Sequence, residues 1–489
     1  MKPNTPVTQT SMGANYWMRN PSRYCRSSIS SARQKKYLGT MEERSTDVAI
    51  LGGGPAGLGV HYYAHQKGVD SLLIEATSQL GGNCRTESFG DFRCDTGAHR
   101  LHDKDERTTA LFQELLGSDL QSVSAPSQIF VEGRFTDFPL SPLNLWKTMG
   151  TFSFFRACIQ VLENSVKRTS DVDDFESLAV GQYGRIVAER FLINYSEKLW
   201  GDSADNLSVE IAGSRLKGLD LKTFILEALR GKKKKVEHLD GTFYYPRDGI
   251  GMLFDALVEA VPTSSFLLES PVTEIRHENF AITEVISNGQ CVIRPELVVS
   301  TLPMTTLLRC LQPAPPAAVM EALSRIRFRD VLVLVFALSK PSVNANASMY
   351  FPDKKFRFTR VYEPRNRSQA MAPDGQTSLA VEVPCQNLKD WTDEAVRDAR
   401  VEVQRQLVEI GFFLETEVLN CHVMRLRNAY PILDNQYKEH TERAFEYVRQ
   451  FRNLRITGRN GLVEYSHIHD HMKNARKLVD GFVPSSVPC

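Results

Sequence analysis

A glycine-rich turn between two apolar segments constrains the fold of this chain more than any other feature. Within residues 46–75, TDVAILGGGPAGLGVHYYAHQKGVDSLLIE, the apolar stretch Val48–Leu51 leads directly into Gly52, Gly54 and Gly57. This G-x-G-x-x-G spacing, followed by a helical pattern and a second apolar strand, predicts a βαβ unit that binds a dinucleotide. Glycine lets the backbone turn tightly and approach a pyrophosphate at the helix N-terminus. A turn that needs glycine only for steric reasons is the alternative.

Three further residues refine this prediction. Pro55 suits the first turn of the helix, and together with Ala56 it belongs to the predicted cofactor-binding turn. Glu75 ends the second strand, where an acidic side chain accepts a hydrogen bond from the 2′-hydroxyl of an adenosine ribose. Because its charge would repel a 2′-phosphate, the motif disfavours NADP.

The length of the chain suits a large enzyme. With 489 residues, of which 42% are hydrophobic, it can form two or three domains. The longest apolar run, Val331–Leu338, has the length of a buried strand and is far shorter than the roughly 18 residues of a membrane-spanning helix. We therefore expect a soluble protein without a transmembrane segment.

The charge distribution and the cysteines exclude other classes of protein. Residues 1–41 hold seven basic residues and no acid, which leaves 52 Lys and Arg against 58 Asp and Glu in the rest. This mildly acidic balance argues against a nucleic-acid-binding protein, which needs a basic face. The nine cysteines are scattered and never in C-x-x-C spacing, so we expect a reducing compartment, the cytoplasm, and no zinc site.

The N-terminal residues differ in composition from the rest. Residues 1–40 are rich in Ser, Arg and Asn and lack any periodic apolar pattern, so we predict a disordered extension that covers residues 1–45. Met41 stands just before the first strand and is the favoured start. An organellar targeting segment is the alternative.

A G-G-x-x-R sequence follows the βαβ unit at Gly81, Gly82 and Arg85. It resembles the FAD-binding start of the flavoprotein superfamily that contains amine oxidases, protoporphyrinogen oxidases, phytoene desaturases and UDP-galactopyranose mutases. The pattern is most similar to the mutase-like branch and its bacterial FAD-dependent oxidoreductase relatives. The resemblance implies FAD as cofactor, with these three residues along its diphosphate and ribityl chain. A guanidinium also suits phosphate oxygens on physical grounds.

The same resemblance implies an α/β fold in which a Rossmann-like FAD-binding domain of the GR2 type is assembled from discontinuous segments. An apolar strand leads into Gly458 and Arg459, and a helix from about Asp470 follows, which predicts a second nucleotide-facing turn. Val272 matches the place where family members contact the adenine. The predicted FAD-binding domain comprises 46–125, 236–305 and 415–482, and the inserted α+β substrate domain comprises 126–235 and 306–414.

Further motifs imply catalytic and substrate-binding residues. Gly97-Ala98-His99 resembles the mutase G-G-H, whose histidine lies beside the reactive edge of the flavin, so the resemblance implies a catalytic role for His99. A histidine that only caps a turn is the alternative. By the same resemblance, substrate diphosphate would be held by Arg215, Arg360, Tyr430 and Tyr465. Ordinary interdomain salt bridges are the alternative for the two arginines.

The C-terminal motif departs from the family pattern. Where relatives show Asn-Gln-Asp-His, this chain has His469-Asp470-His471, so Asp470 and His471 fit a contact with the flavin ribityl chain while the Asn is missing. His467, His469 and His471 would share one face of a strand. No thiolate or second carboxylate accompanies them, so we predict no metal site.

Three functions are compatible with these motifs. The favoured one is an FAD-dependent oxidoreductase acting on a small substrate that is anionic or nucleotide-linked, because two candidate arginines suit an anion. The second is a mutase-like isomerase that uses reduced FAD on a nucleotide-diphosphate sugar. A flavin-binding protein without turnover is the least favoured.

Overall fold

The structure, a computed structural model, describes residues 42–166, 172–215 and 242–482. Most of the expected N-terminal extension lies outside these residues. The strands are β1 (Glu42–Leu51), β2 (Ser71–Ile74), β3 (Thr86–Phe89), β4 (Phe92–Asp95), β5 (Leu120–Ser124), β6 (Ser127–Val131), β7 (Arg134–Phe138), β8 (Thr242–Pro246), β9 (Phe266–Leu267), β10 (Val272–Glu278), β11 (Ala281–Ser287), β12 (Cys291–Ser300), β13 (Leu311–Gln312), β14 (Phe328–Leu338), β15 (Ser348–Tyr350), β16 (Arg360–Tyr362), β17 (Thr377–Cys385), β18 (Val418–Pro431) and β19 (Leu454–Ile456).

Helices connect and cover these strands. They are α1 (Pro55–Gln66), α2 (Glu106–Leu116), α3 (Pro142–Val166), α4 (Phe175–Tyr183), α5 (Arg185–Val187), α6 (Asn194–Trp200), α7 (Gly251–Glu259), α8 (Met304–Cys310), α9 (Ala317–Arg325), α10 (Asp393–Ile410), α11 (Tyr437–Val448), α12 (Arg459–Leu462) and α13 (Ile468–Asp480). A π-helical turn, Ala188–Ile193, joins α5 to α6, and Gly150, with a φ of 75°, interrupts α3. Among the described helices, none combines the length and the apolarity that crossing a membrane would require.

The first sheet contains the predicted βαβ unit. Its order is β13-β10-β11-β12-β1-β2-β9, with β19 also paired to β12. The central strands β9, β2, β1, β12 and β19 run parallel. Val48–Leu51 at the end of β1 are all buried, as expected for a parallel strand that is covered on both faces. Helices α1 and α13 pack together over this sheet, where Val60 meets Met472 and Ala475 in one apolar cluster.

The second sheet has the order β18-β14-β17-β16-β15-β6-β7 and is largely antiparallel. Its inner strand β14, next to the edge strand β18, is buried on both faces, and its side chains alternate between two clusters. Leu332, Leu334 and Phe336 pack with helix α10, whereas Val331 and Val333 pack toward β4 and β18. The period of two that defines a strand thus divides one apolar run between two cores.

Two boundaries differ from those expected from the sequence. The strand β1 already begins at Glu42, because Glu42–Ser45 continue the parallel ladder opposite Cys291–Arg294, so the disordered segment predicted for 1–45 extends too far. Strand β18 lies within 415–482, which was assigned to the FAD-binding domain, yet it pairs with β14 of the second sheet. The division into a cofactor domain and a substrate domain otherwise stays a prediction.

Candidate active site

The glycine turn between β1 and α1 forms the centre of a cradle. Gly52 has a φ of +102°, and a Cβ on Gly57 would lie 1.9 Å from the Gly52 carbonyl oxygen, so the turn requires glycine at both positions. A Cβ on Gly54 would find only the Gly82 Cα, at 3.9 Å. Pro55 is the first residue of α1, followed by Ala56. The open space beside Gly54 at the helix N-terminus suits an anion such as a pyrophosphate.

Glu75 is held at the mouth of this turn. Its Oε2 accepts a hydrogen bond from the Gly53 amide at 2.8 Å, and its Oε1 accepts one from the Thr77 amide at 2.9 Å. The Glu75 carbonyl accepts from the Ser270 amide, two residues before Val272. The predicted adenosine contacts, Glu75 and Val272, are therefore connected through this loop.

The Gly81–Arg85 loop packs directly against the glycine turn. The Gly81 amide donates to the Gly53 carbonyl at 2.8 Å, and a Cβ on Gly82 would lie 3.0 Å from the Gly54 Cα. Gly81 and Gly82 both have positive φ, at 100° and 56°. The structure thus brings two motifs that are adjacent in sequence into contact through backbone that only glycine permits.

A third segment completes the cradle from the C-terminal end. Gly458 has a φ of +87°, and a Cβ there would lie 3.3 Å from the Ala56 Cβ and 3.4 Å from the Thr301 Cβ. The Arg459 side chain donates to the backbone carbonyls of Ser466 and, at 3.2 Å, Ala429. Arg459 therefore braces two loops, in addition to its predicted role toward the cofactor.

The run of histidines begins helix α13, so the expected shared strand face is wrong. Asp470 accepts from the His467 amide at 2.9 Å and lies 3.0 Å from His469 Nε2, and these bonds keep the pKa of Asp470 below its usual value although burial opposes this shift. Burial, with the charge of Arg459, lowers the pKa of His471 to about 3. Within the described part of the chain no group of His, Cys, Asp and Glu side chains could hold a metal ion.

Unsatisfied polar atoms in these segments fit a dinucleotide cofactor. Arg85 Nε, Asn460 Oδ1 and Ser466 Oγ are buried without a hydrogen-bond partner. They belong to the same segments as the glycine cradle. Phosphate oxygens and ribityl hydroxyls are groups that can satisfy donors and acceptors of these kinds, and the cost of leaving them unpaired gives the site an affinity for such a ligand.

His99 is fixed as a neutral imidazole. Its Nε2 lies 3.0 Å from the Asn83 carbonyl oxygen, so this nitrogen carries the proton, and its Nδ1 lies 3.8 Å from Cys84 Sγ. Burial, together with the positive charge of Arg459, lowers the pKa of His99 to about 3. The Arg367 side chain donates a hydrogen bond to the His99 carbonyl oxygen at 3.3 Å.

Arg360 forms a buried pair with Glu382 beside the same loop. Arg360 Nε donates to Oε2 at 2.9 Å and its Nη2 donates to Oε1 at 2.7 Å, while Oε1 also accepts from the Ala98 amide at 3.1 Å. Although burial opposes its charge, Glu382 holds the pKa of Arg360 well above its ordinary value. The sequence did not single out Glu382, but a lone acid in the apolar strand β17 is a signal that a buried partner is needed.

Tyr430, Tyr465 and Trp200 form an aromatic cluster beside Arg459. The Tyr430 and Tyr465 rings stack at 6.2 Å, and Trp200 meets them edge-on at 5.9 and 6.1 Å. The Arg459 guanidinium lies 5.5 Å from the Tyr430 ring and 5.3 Å from the Tyr465 ring. Burial, with the charge of Glu382, raises the pKa of Tyr430 to about 12, so it stays a neutral phenol.

The structure therefore brings most of the predicted substrate residues together. Tyr430 and Tyr465 are in contact, and the charges of Arg360 and Arg459 both act on Tyr430. The Arg215 backbone ends a 3₁₀ segment, Val209–Arg215, but its side chain lies outside the described residues. Its proposed convergence with Arg360 stays a prediction.

Comparison with known proteins provides independent information. A family model for flavin-containing amine oxidoreductases matches residues 56–463. The ferredoxin–NADP reductase of Streptococcus equi subsp. zooepidemicus (strain MGCS10565) is 48% identical over 42 residues, which are 9% of this chain and 13% of that reductase. This second match thus spans about an eighth of the reductase.

Solved structures share the fold over most of the chain. A crystal structure of reduced UDP-galactopyranose mutase matches with a TM-score of 0.79 and 18% identity, over 89% of this chain and 95% of the mutase. A protein assigned as a protoporphyrinogen oxidase from Exiguobacterium sp. 255-15 matches at 0.70 and 18%, over 90% and 99%. Wild-type putrescine oxidase bound to putrescine matches at 0.60 and 15%, over 90% and 99%. The predicted Rossmann-like α/β fold is confirmed.

Proposed function

The chain belongs to the family of flavin-containing amine oxidoreductases, and from this premise we propose that it is an oxidoreductase for a small, anionic, nucleotide-linked substrate. It is an FAD-dependent enzyme, and its mutase-like resemblance is confirmed. What the sequence and the family leave open is the substrate, and the proposal for it depends on the geometry around Arg360.

The observation that supports an anionic substrate is the way Arg360 is held. Glu382 occupies its Nε and Nη2, whereas Nη1 makes no hydrogen bond to any described residue. The guanidinium is therefore oriented, and the two N–H donors of its Nη1 have no acceptor among the described residues. Because Arg360 is only about 15% exposed at the side chain, an anion that reaches Nη1 is partly shielded from water, where a charge-assisted hydrogen bond is strong.

The aromatic cluster supports a ligand with a flat group. Tyr430 and Tyr465 are hydroxyl-bearing rings that can donate to an anion, and Trp200 adds an apolar face. When bound, FAD supplies the two-electron chemistry. The protein's own contribution is to exclude water from this cluster and to orient the substrate beside His99, whose two ring nitrogens both have protein partners.

A mutase-like isomerase is the second candidate, and a specific observation favours it. Burial, with the charge of Arg459, lowers the pKa of His99 to about 3, so this imidazole is neutral around neutral pH. A net redox-neutral ring rearrangement on a nucleotide-diphosphate sugar, as the resemblance implies, makes no demand on a titrating base at this position.

The test of an anionic substrate is a titration of the FAD-loaded protein with uridine diphosphate, followed by flavin absorbance. Arg360→Ala is expected to weaken binding by about 1.5–3 kcal/mol, the contribution of a hydrogen bond to a charged group. Arg360→Lys recovers part of the loss, since a point charge lacks the planar fork. Arg357→Ala is the matched control, because Arg357 lies on the same segment but pairs with the exposed Glu402.

Removing Arg360 alone leaves Glu382 as an unpaired buried carboxylate that repels anions, so the double variant R360A/E382Q accompanies it. Equal affinity for uridine diphosphate in wild type, R360A and the double variant contradicts the proposal. To separate the two candidates, the oxidised protein is mixed with nucleotide sugars without oxygen. Bleaching of the flavin supports the oxidoreductase, whereas ring rearrangement by prereduced protein alone supports the mutase.

A further inference from the structure

A cavity of about 380 Å³ lies outside the cradle and the aromatic cluster. It opens between helix α8, the residues that lead into β14, the loop that follows β17, and the β-bulge of β18 near Asn428. Its volume falls within the roughly 300–1,000 Å³ of small-ligand sites. None of its lining residues belongs to the predicted FAD contacts, so it is a separate site, called here the basic pocket.

Three cations that have no partner among the described residues line the basic pocket. Arg309, Lys389 and Arg427 line it, and none makes a side-chain hydrogen bond or ion pair to a residue in the described ranges. Arg327 also lines it, but this arginine is already engaged by Asp202 at 2.6 Å and by Asp434 at 3.1 Å. Three like charges around one cavity repel each other unless an anion lies between them.

The walls of the pocket are held in place by a buried carboxylate. Asp330, which is 7% exposed, accepts from the Leu388 amide at 2.8 Å and from the Asn428 amide at 2.8 Å. These two bonds connect the 3₁₀ turn that carries Lys389 to the part of strand β18 that carries Arg427. Asn387 and Asn428 both adopt left-handed backbone with φ of 50°, a conformation that is uncommon outside glycine. The backbone that carries Lys389 and Arg427 is thus held in place on both sides of Asp330.

Apolar residues also line the pocket. They are Ile326, Phe328 and Ile432, of which Phe328 is aromatic. Thr305 and Gln386 add neutral hydrogen-bonding groups at the side. A ligand that matches these surfaces carries an anionic group at one end and a flat ring at the other.

We infer that the basic pocket binds a small organic phosphate that carries a flat ring, of the size of a nucleoside monophosphate. The phosphate lies among Arg309, Lys389 and Arg427, and the ring covers Phe328. This site is independent of the proposed function, and its ligand is not the substrate.

The pocket is connected to the cofactor cradle through its wall. Asn83, within the Gly81–Arg85 loop, donates to the Arg427 carbonyl at 3.3 Å, and Asn460, next to Arg459, donates to the Asn428 carbonyl at 2.7 Å. A ligand that draws Arg427 toward the pocket would move backbone that is hydrogen-bonded to two segments of the predicted FAD site.

The experiment is calorimetric titration of the FAD-saturated full-length protein with adenosine monophosphate, so that the adenosine part of the cofactor site is already filled. Saturable binding that weakens roughly 10-fold or more in Arg427→Ala and in Lys389→Ala is expected, because each removes a charge-assisted contact. Arg425→Ala is the matched control: Arg425 is exposed on the same strand but pairs with Asp393 at 3.0 Å, and its loss leaves the affinity unchanged.

Two further titrations, one with the R360A variant and one with inorganic phosphate, test where and how the ligand binds. Arg360→Ala leaves the affinity for adenosine monophosphate unchanged, and a loss there places the nucleotide in the proposed active site and overturns the inference. Inorganic phosphate binds at least 10-fold more weakly than adenosine monophosphate, and equal affinity overturns the assignment of the flat ring. Absence of saturable binding, or equal binding in R427A, K389A and wild type, overturns the site itself. None of these outcomes depends on turnover, so they are distinct from failure of the proposed function.

Discussion

Glu382 illustrates at the scale of one residue how a buried charge is accommodated. Its carboxylate accepts hydrogen bonds from Arg360 and from the Ala98 amide at the same time, so removing it leaves both donors without this acceptor. Glu382→Ala is expected to lower the free energy of unfolding by about 3–5 kcal/mol, because it leaves the arginine charge buried and unpaired. Urea denaturation measures this loss. The double variant E382A/R360A should lose less than the sum of the two single variants, and strict additivity would show that the pair is not coupled.

Within the βαβ unit, glycine has different roles at Gly57 and at Gly54. A Cβ on Gly57 collides with the Gly52 carbonyl at 1.9 Å, whereas a Cβ on Gly54 makes only an ordinary contact at 3.9 Å. We expect Gly57→Ala to lower the melting temperature of the FAD-free protein and to reduce FAD content, since the turn itself must open. Gly54→Ala should reduce FAD content but change the melting temperature of the FAD-free protein little. Calorimetry measures the melting temperatures, and flavin quantitation measures the FAD content. A normal FAD content in both variants would contradict the assignment of this turn to FAD binding.

For the whole molecule, buried neutral histidines determine the acid limit of stability. Burial lowers the pKa of His61 to about 4, and the pKa values of His99 and His471 are about 3. Since unfolded histidine has a pKa near 6.5, the unfolded chain binds more protons between about pH 6.5 and pH 3. Stability is therefore complete above about pH 6.5 and falls as the pH decreases through that window. The His61 contribution lost between pH 8 and pH 5 is about 2 kcal/mol.

The variant that tests this is His61→Gln, which can keep hydrogen bonds to Ser71 and Ser265 but cannot titrate. Its melting temperature should fall less between pH 8 and pH 5 than that of the wild type. His65→Gln, an exposed change on the same helix, should keep most of the pH dependence, because burial is the largest cause of the lowered pKa of His61 and the charge of His65 contributes less. If the melting temperatures of H61Q and H65Q change equally between pH 8 and pH 5, the titration of His61 does not account for the predicted pH dependence.

Local motifs predicted the βαβ unit because its requirements lie within a few residues. Gly52 and Gly57 are needed for a turn that short-range geometry defines, as are Gly81 and Gly82. The ribose contact predicted for Glu75 depends on the same short range. The Rossmann-like fold and FAD followed from them and are confirmed. The histidine run was assigned to a strand because alternation over five residues cannot be distinguished from the start of a helix without its packing against α1.

The sequence by itself thus determined the cofactor unit, its fold class and its family, since these depend on residues close together in the chain. Tertiary structure alone decided that Glu382 pairs with Arg360, that Trp200 joins Tyr430 and Tyr465, and that β18 pairs with the second sheet. Each of these contacts joins residues that are distant in sequence, and its formation depends on the closure of long loops and on the burial of whole surfaces. No local period or spacing encodes such a partner.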